Sequence, residues 1–582
     1  MKVINVCLGL LFAVLLGWQV HQYLPFQLCQ LEHTHMFLED WDWFLSHLGQ
    51  MGGLAQWIGD YGIQYLNPSV SGSLVFVLPV WLLFAAMTLL MKGQGRGLSF
   101  CMPLAVWPSV FQLFSSCDYN FYWSGTVALV SALFVLWLVS LIRRSVVRSL
   151  VFLLSIPMVM WLFGSVVAVY VTSGVCLFFT KKHWLQTALA PLLLFVGMVL
   201  LACHQGWMPS LQASVSPLLY YEPLLEFPLY HWLTWGSVLM VLCLARFLPV
   251  IMWRNKMAVY GLAALGWALP CVVLAKGTPK FLNPSNLDLF RLNHYAYTDD
   301  WDGILNFLKE RPINNYLFMN YANMALAEKG ELADRAFHFY PRGINSLLVT
   351  ANSTGSVRML LSDVNYSVGC IAEAQQHAFE GQVTFSNSLG IQTMKRLVKT
   401  NLIFGHYEVA EKYLSLIAKT TFHKEWAKKY MDFLYKDDAV EKDEELGEKR
   451  RGLSLHNRFA MFYGWRPELE DILEVNPEND KALAYLGISY LLSKDLEGFR
   501  VFMDKYYGQK DMKDIPVAFQ QGKIMLCYQD KQAWENAGFS TQVVKEFKQY
   551  LALYAQNRQR PNLKNMMHRS FGHTFWYYLM FV

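Results

Sequence analysis

Charged side chains are scarce in this sequence. Asp, Glu, Lys and Arg make up 16% of its 582 residues, against about 25% in an ordinary soluble chain, and most of them lie beyond Gly277. The first half therefore lacks the charge that a wholly water-facing surface needs. No CxxC pair and no Cys/His metal spacing occurs. The ten cysteines stand singly, most of them inside apolar runs, as Cys7, Cys101, Cys176, Cys243 and Cys271 do. This excludes a zinc module and a disulfide framework, and leaves open only an isolated bridge from Cys29 to another outer-face cysteine. Ser/His/Asp and Cys/His catalytic signatures are missing, and so is any nucleic-acid motif. The net charge of +5 follows from membrane topology in the first half and from mixed signs in the second.

What is present is apolar: 54% hydrophobic and 15% aromatic residues, with a mean hydropathy of +0.23. A run after Met1-Lys2, without a small-x-small cleavage site, reads as an uncleaved first span. Further runs long enough to cross about 30 Å of hydrocarbon stand near 72–91, 98–116, 121–141, 185–203, 232–252 and 257–277. The stretch 149–179, divided by Pro157 and Gly164, reads as two short helices or a re-entrant pair. Lys92, Arg96, Arg143, Arg144, Arg148, Lys181, Lys182, Arg254 and Lys256 fall in alternate loops, which the positive-inside rule makes cytoplasmic; Arg246 snorkels to the same interface. Glu32, Glu39, Asp40, Asp42, Asp60, Asp118, Glu222 and Glu226 fall in the other set. The expected fold is all-α: a polytopic bundle of about nine spans over residues 1–280, then a tetratricopeptide-like α-solenoid over 281–582. The chain is expected in a bacterial inner membrane, its N-terminus cytoplasmic and its C-terminal domain extracytoplasmic.

The first outer loop, residues 24–71, is too long for a turn and too aromatic for disorder. Leu31, Leu38, Trp41, Leu45 and Leu48 recur at helical steps, and Glu32, His35, Glu39 and Asp42 recur opposite them, with Asp40 to the side. That stripe is either a solvated face of an interfacial helix or a set of carboxylates that act as base or hold a divalent cation, with Glu32 and His35 as candidate ligands. DDWDGIL at 299–305 repeats the EDWDWFL of 39–45, and there the acids open a tail helix, where the dipole favours them. The second large outer loop carries Tyr220, Tyr221, Glu222 and Glu226, suited to a sugar face or to an interfacial belt. Lys276 and Lys280, at the outer end of the last span, either anchor to headgroups or neutralise a lipid phosphate.

From about residue 298 the pattern is paired helices. Leu483, Leu486, Gly487 and Tyr490, and then Gly405, Tyr407, Ala410 and Leu414, sit at tetratricopeptide-like positions. A third, weaker copy lies near 314–341. Phe499 replaces a small residue, and the charged stretch 436–451 reads as a linker or helix rim. Such pairs offer a concave surface for a protein or glycan partner.

With its acidic, aromatic first outer loop, its GGLA element at 52–55 and its helical tail, the chain resembles an uncharacterised family of bacterial polytopic envelope proteins. More remotely, the membrane half is similar to GT-C membrane glycosyltransferases, which invert configuration and use polyprenyl-phosphate sugars. That resemblance implies Asp40, Asp42 or Glu39 as the base on the acceptor hydroxyl, and substrate contacts from Lys276, Lys280, Tyr221 and Glu222. It also implies no cofactor or one divalent cation, Mg or Mn. The chain departs from the class in lacking a clean Asp-Glu pair near the span end. The alternative is a non-catalytic envelope assembly or scaffold protein. A transporter fits less well, because the spans carry almost no mid-membrane ionisable residues.

Overall fold

A segment in hydrocarbon must satisfy its own backbone hydrogen bonds, so long apolar runs become helices. The computed structural model describes residues 2–248, 256–309, 311, 313, 315–352, 354–384, 390–455 and 464–582. Among these, every regular element is helical, and β pairing is limited to an isolated bridge between Phe121 and Tyr221. The chain divides into two units, Met1–Phe290 with Lys419–Phe422, and Arg291–Ala418 with His423–Val582.

In the first unit six stretches are long and apolar enough to cross a membrane: Val3–Tyr23, Val70–Gly93, Leu98–Ser116, Trp123–Ser140, Ser145–Phe178 and Leu185–His204. They fit a multi-pass membrane protein. The expected count of about nine is not reached by this measure. The helix Trp232–Phe247 is 16 residues long, and residues 249–255, which hold the end of the expected 232–252 span and Arg254, lie outside the described residues. The helices pack around two apolar cores, one including Leu129, Leu133, Val159 and Leu242 and the other Leu16, Val77, Val106 and Leu113. Two side-chain pairs inside them answer the demand of an apolar medium for partnered polar groups: Trp267 Nε1 donates to Asn5 Oδ1 at 3.0 Å and Gln112 Nε2 to Thr126 Oγ1 at 2.7 Å.

Ser145–Phe178 is a hairpin, not one rod. Helices Ser145–Phe163 and Val167–Phe178 run back along each other, bringing Phe152 within 5.4 Å of Tyr170 and 5.5 Å of Phe178, ring centre to ring centre. The turn is made at Gly164, whose φ of +76° and ψ of −141° belong to a region essentially reserved for glycine. Two loop residues, Tyr220 and Gly52, grip this apex. Tyr220 donates its hydroxyl to the Phe163 carbonyl, and the Gly52 N–H donates to the Trp161 carbonyl at 2.8 Å. The GGLA element thus has a structural task. Gly52 takes a left-handed φ of +81°, and a Cβ on Gly53 would stand 1.8 Å from the His47 carbonyl oxygen.

The second unit is built of helix pairs, among them Ile391–Phe404 with Tyr407–Ile417 and Asp480–Leu492 with Leu496–Tyr507. The third pair expected from sequence is unequal: Tyr316–Glu328 is followed by only Leu332–Arg335 before the chain tightens into a 3₁₀ turn. Phe499, the large residue in a small residue's place, is fully buried. Room for it comes from Gly522 and Gly487, since a Cβ on Gly522 would lie 2.6 Å from the Phe499 ring and one on Gly487 2.3 Å from Phe519. Of the two readings of the charged stretch 436–451, linker or helix rim, the linker is corrected. The stretch forms helices Asp437–Lys442 and Glu444–Arg451 that bury Val440 and Leu446, and the Lys449 side chain is only 10% exposed.

Candidate functional site

The acidic stripe does not form on one helix. Met36, Phe37 and Leu38 are each 4% exposed, and three consecutive side chains cannot share one buried helix face. The helix Pro25–Thr34 therefore ends, His35–Asp40 runs without helix, and a new helix starts at Trp41. Glu39 is exposed; its Oε1 accepts from the Thr421 hydroxyl at 2.7 Å and its N–H donates to the Lys419 carbonyl at 2.7 Å. Asp40 stands at the N-cap and pairs with Lys419 Nζ at 2.5 Å. Exposed Asp42 lies in the first turn, where the helix dipole favours it. The hydrogen bond from Lys419 holds the Asp40 carboxyl below the usual carboxylate range, which makes it a weaker base. An exposed ion pair adds little to stability, so Asp40→Asn is expected to leave the melting temperature of the purified chain unchanged.

The candidate cation ligands Glu32 and His35 lie next to protein groups. His35 places Nδ1 2.8 Å from the Leu31 carbonyl, and Glu32 lies 3.7 Å from His33 Nε2. Among the described residues no three His, Cys, Asp or Glu side chains converge on a metal position.

A tighter arrangement surrounds Asp118, in the short turn between Leu98–Ser116 and Trp123–Ser140. Its Oδ2 accepts from Tyr230 at 2.9 Å and Tyr221 at 3.1 Å, with His231 Nε2 at 3.5 Å. Its Oδ1 accepts from the Asn120 backbone and side chain at 3.0 and 3.1 Å. His231 is buried and stacks on Phe121 at 4.9 Å. A cavity of about 450 Å³ opens here, lined by Asp118, Tyr119, Tyr230, Lys280 and Asn283 among others. Of the expected substrate residues, Tyr221 and Lys280 therefore gather at Asp118. Glu222 instead accepts from Tyr122 at 3.0 Å, and Lys276 is exposed and does not line this cavity.

Burial alone would raise the Asp118 carboxyl, but bonds from His231, Asn120 and Tyr230 hold it below its ordinary value. A carboxyl so held stabilises the fold above its unfolded value of about 3.9, and that contribution is lost as pH falls through the lower, folded value. The wild type should lose more melting temperature than Asp118→Asn between about pH 6 and pH 3. Parallel thermal scans of the two proteins check this.

The second unit holds a larger, open cavity of about 780 Å³, in the range of small-molecule sites. Its floor is a charge network. Arg396 Nη2 donates to Asp363 at 2.8 Å, and its guanidinium lies 3.7 Å from the centre of the Tyr366 ring. Lys399 donates to both Glu445 oxygens at 2.7 and 2.9 Å, and Tyr366 donates to Glu445 Oε1 at 2.7 Å. Lys481 pairs with Glu328 at 2.5 Å. Burial, the main influence, raises the Asp363 carboxyl and lowers the Lys399 ammonium. Sequence reasoning passed over these residues. The charges come from distant helices, and the one legible cue, DDWDGIL, was fully explained by helix initiation: Asp300 does cap the helix Trp301–Lys309 by accepting from the Gly303 N–H at 2.8 Å.

Six apolar stretches of membrane-spanning length and a second, charged, all-helical unit are compatible with a multi-pass membrane protein that carries a large helical domain. The chain belongs to the family of unknown function DUF6057, whose model matches residues 1–582. No curated protein and no solved structure matches it.

Proposed function

We propose that the chain is a membrane-anchored assembly or scaffold protein of the bacterial envelope, and that its helical unit binds a polar partner in the cavity around Arg396. The carrying observation is the cavity itself, about 780 Å³ of open space over a preformed floor of paired charges. Preorganised polar groups are what a binding site needs, because the cost of ordering them is met during folding. The alternating loop charges support an inner-membrane location with the helical unit outside the cytoplasm.

A second reading, a transferase acting on a lipid-phosphate-linked sugar, draws on one specific observation: Asp118, Tyr230 and Lys280 line a common cavity. There a carboxylate would serve as base and an ammonium would meet the phosphate. One complementation experiment separates the two. Cells lacking the protein receive the wild type, Trp301→Ala at the helical cavity, Asp118→Asn, or the Asp40→Asn/Asp42→Asn pair, and their envelope glycans and lipid-linked sugars are profiled by mass. Under the binding reading only Trp301→Ala fails at equal protein level. A lipid-linked donor accumulating with Asp118→Asn, or with the Asp40/Asp42 pair, would replace it with the transferase.

A further inference from the structure

We propose that the ligand of the helical cavity is a short oligosaccharide, held between the Trp301 ring, the Asp299 carboxylate and Nη1 of Arg396. The inference rests on the binding reading above and names the chemistry of its ligand.

Three exclusions narrow the choice. The lining carries six acids, Asp299, Glu328, Asp363, Glu444, Glu445 and Glu448, against the five cations Lys395, Arg396, Lys399, Lys449 and Lys481, so it has no net attraction for a polyanion. Ala296 and Met324 are its only aliphatic members, too little for an acyl chain. The cations are also committed. Beside the pairs already described, Lys449 Nζ donates to the Ser367 carbonyl and Lys395 Nζ to the Tyr297 hydroxyl, at 2.9 and 2.8 Å. A peptide carboxylate or a phosphate seeking one of these lysine ammonium groups would have to share it with its present partner.

Three groups at the cavity remain open among the described residues. Asp299 has no side-chain hydrogen bond or ion pair. It sits at the mouth, exposed, at the end of the helix Pro284–Tyr297, with a φ of +56°. Glycine is the commonest occupant of such a left-handed closing position, and aspartate is among the few other residues that tolerate it. Nη1 of Arg396 is buried and lacks a hydrogen-bond partner, a state costly enough to expect a ligand or water. Trp301 is half-buried with no ring or cation stacked on it. An acceptor, a donor and a free aromatic face together match adjacent sugar hydroxyls and the C–H face of the ring that bears them.

Isothermal titration of the full chain in nanodiscs tests this, with four probes at millimolar concentration: maltotriose, diacetylchitobiose, trialanine and inorganic phosphate. At least one of the two sugars is expected to bind. Trp301→Ala and Asp299→Asn should each weaken it by about tenfold or more while melting like the wild type. The conservative Trp301→Phe should recover part of the loss, which a mere folding defect would not do. Trialanine or phosphate binding in place of sugar, lost in Trp301→Ala, would overturn the carbohydrate assignment and keep the cavity as a binding site. Sugar binding indifferent to both substitutions, or no sugar binding at all, would overturn the assignment as well. In either of those cases the complementation result with Trp301→Ala decides separately whether the cavity binds anything.

Discussion

Replacing Arg396 by methionine is expected to cost about 3–5 kcal/mol, because it strands the Asp363 carboxylate without its partner. The two side chains are 19% and 16% exposed, so water recovers little of the lost interaction. The stack on Tyr366 disappears as well, which exposes the ring to the cavity. Hydrogen exchange over the helix Ile391–Phe404, followed through a urea titration of the full chain, reads the effect where it arises. Removing both charges, as Arg396→Met with Asp363→Leu, should restore much of the stability, since a buried pair replaced by apolar groups is often neutral. A single-variant cost below about 1 kcal/mol would mean that the pair is solvated and of the surface kind.

The second large effect concerns backbone space at the hairpin apex. Gly164→Ala adds a Cβ 2.7 Å from a Leu219 methyl and 3.2 Å from the Tyr220 hydroxyl, at a φ of +76°. Strain and overpacking together should cost about 3 kcal/mol or more. Gly53→Ala should be at least as damaging, because its Cβ meets the backbone oxygen of His47 at 1.8 Å and no side chain can rotate away. Gly52→Ala is the control. Its nearest new neighbour is 3.6 Å away, so only the left-handed φ is penalised, by about 1 kcal/mol. Melting of the three variants in detergent should rank Gly52→Ala as the mildest by a clear margin. Equal losses at all three would show that the apex relaxes and that the glycines serve flexibility instead of close approach.

Much of the architecture was legible because it is written in local pattern. The apolar runs, the break of 149–179 into two helices and the helix pairs around Gly405 and Lys494 all follow from periodicity and breakers; of the two breakers read there, Gly164 makes the turn and Pro157 stays inside a helix. The acidic stripe was misread for an instructive reason. Glu32, His35, Glu39 and Asp42 keep helical spacing, but Met36, Phe37 and Leu38 between them compete for burial, and burial of three successive large side chains outweighs four weakly interacting polar ones. The Asp118 cluster was hidden differently. Its partners Tyr221, Tyr230 and His231 lie more than a hundred residues away, and a lone aspartate in the short turn between Ser116 and Trp123 carries no periodic signal. The network around Arg396 joins the segments near 328, 363, 396, 445 and 481, and no spacing rule connects such distances.

Burying the Arg396–Asp363 pair also shields it from dissolved salt. Counter-ions weaken attraction between charges in water over a distance of about 8–10 Å at ordinary ionic strength, but far less between charges held against a protein interior. Arg396 on Asp363, at 19% and 16% exposure, is therefore held much the same in brine as in fresh water, whereas Glu445 under Lys399, 40% exposed, feels the salt. The floor of the cavity around Arg396 thus keeps its shape when the medium changes.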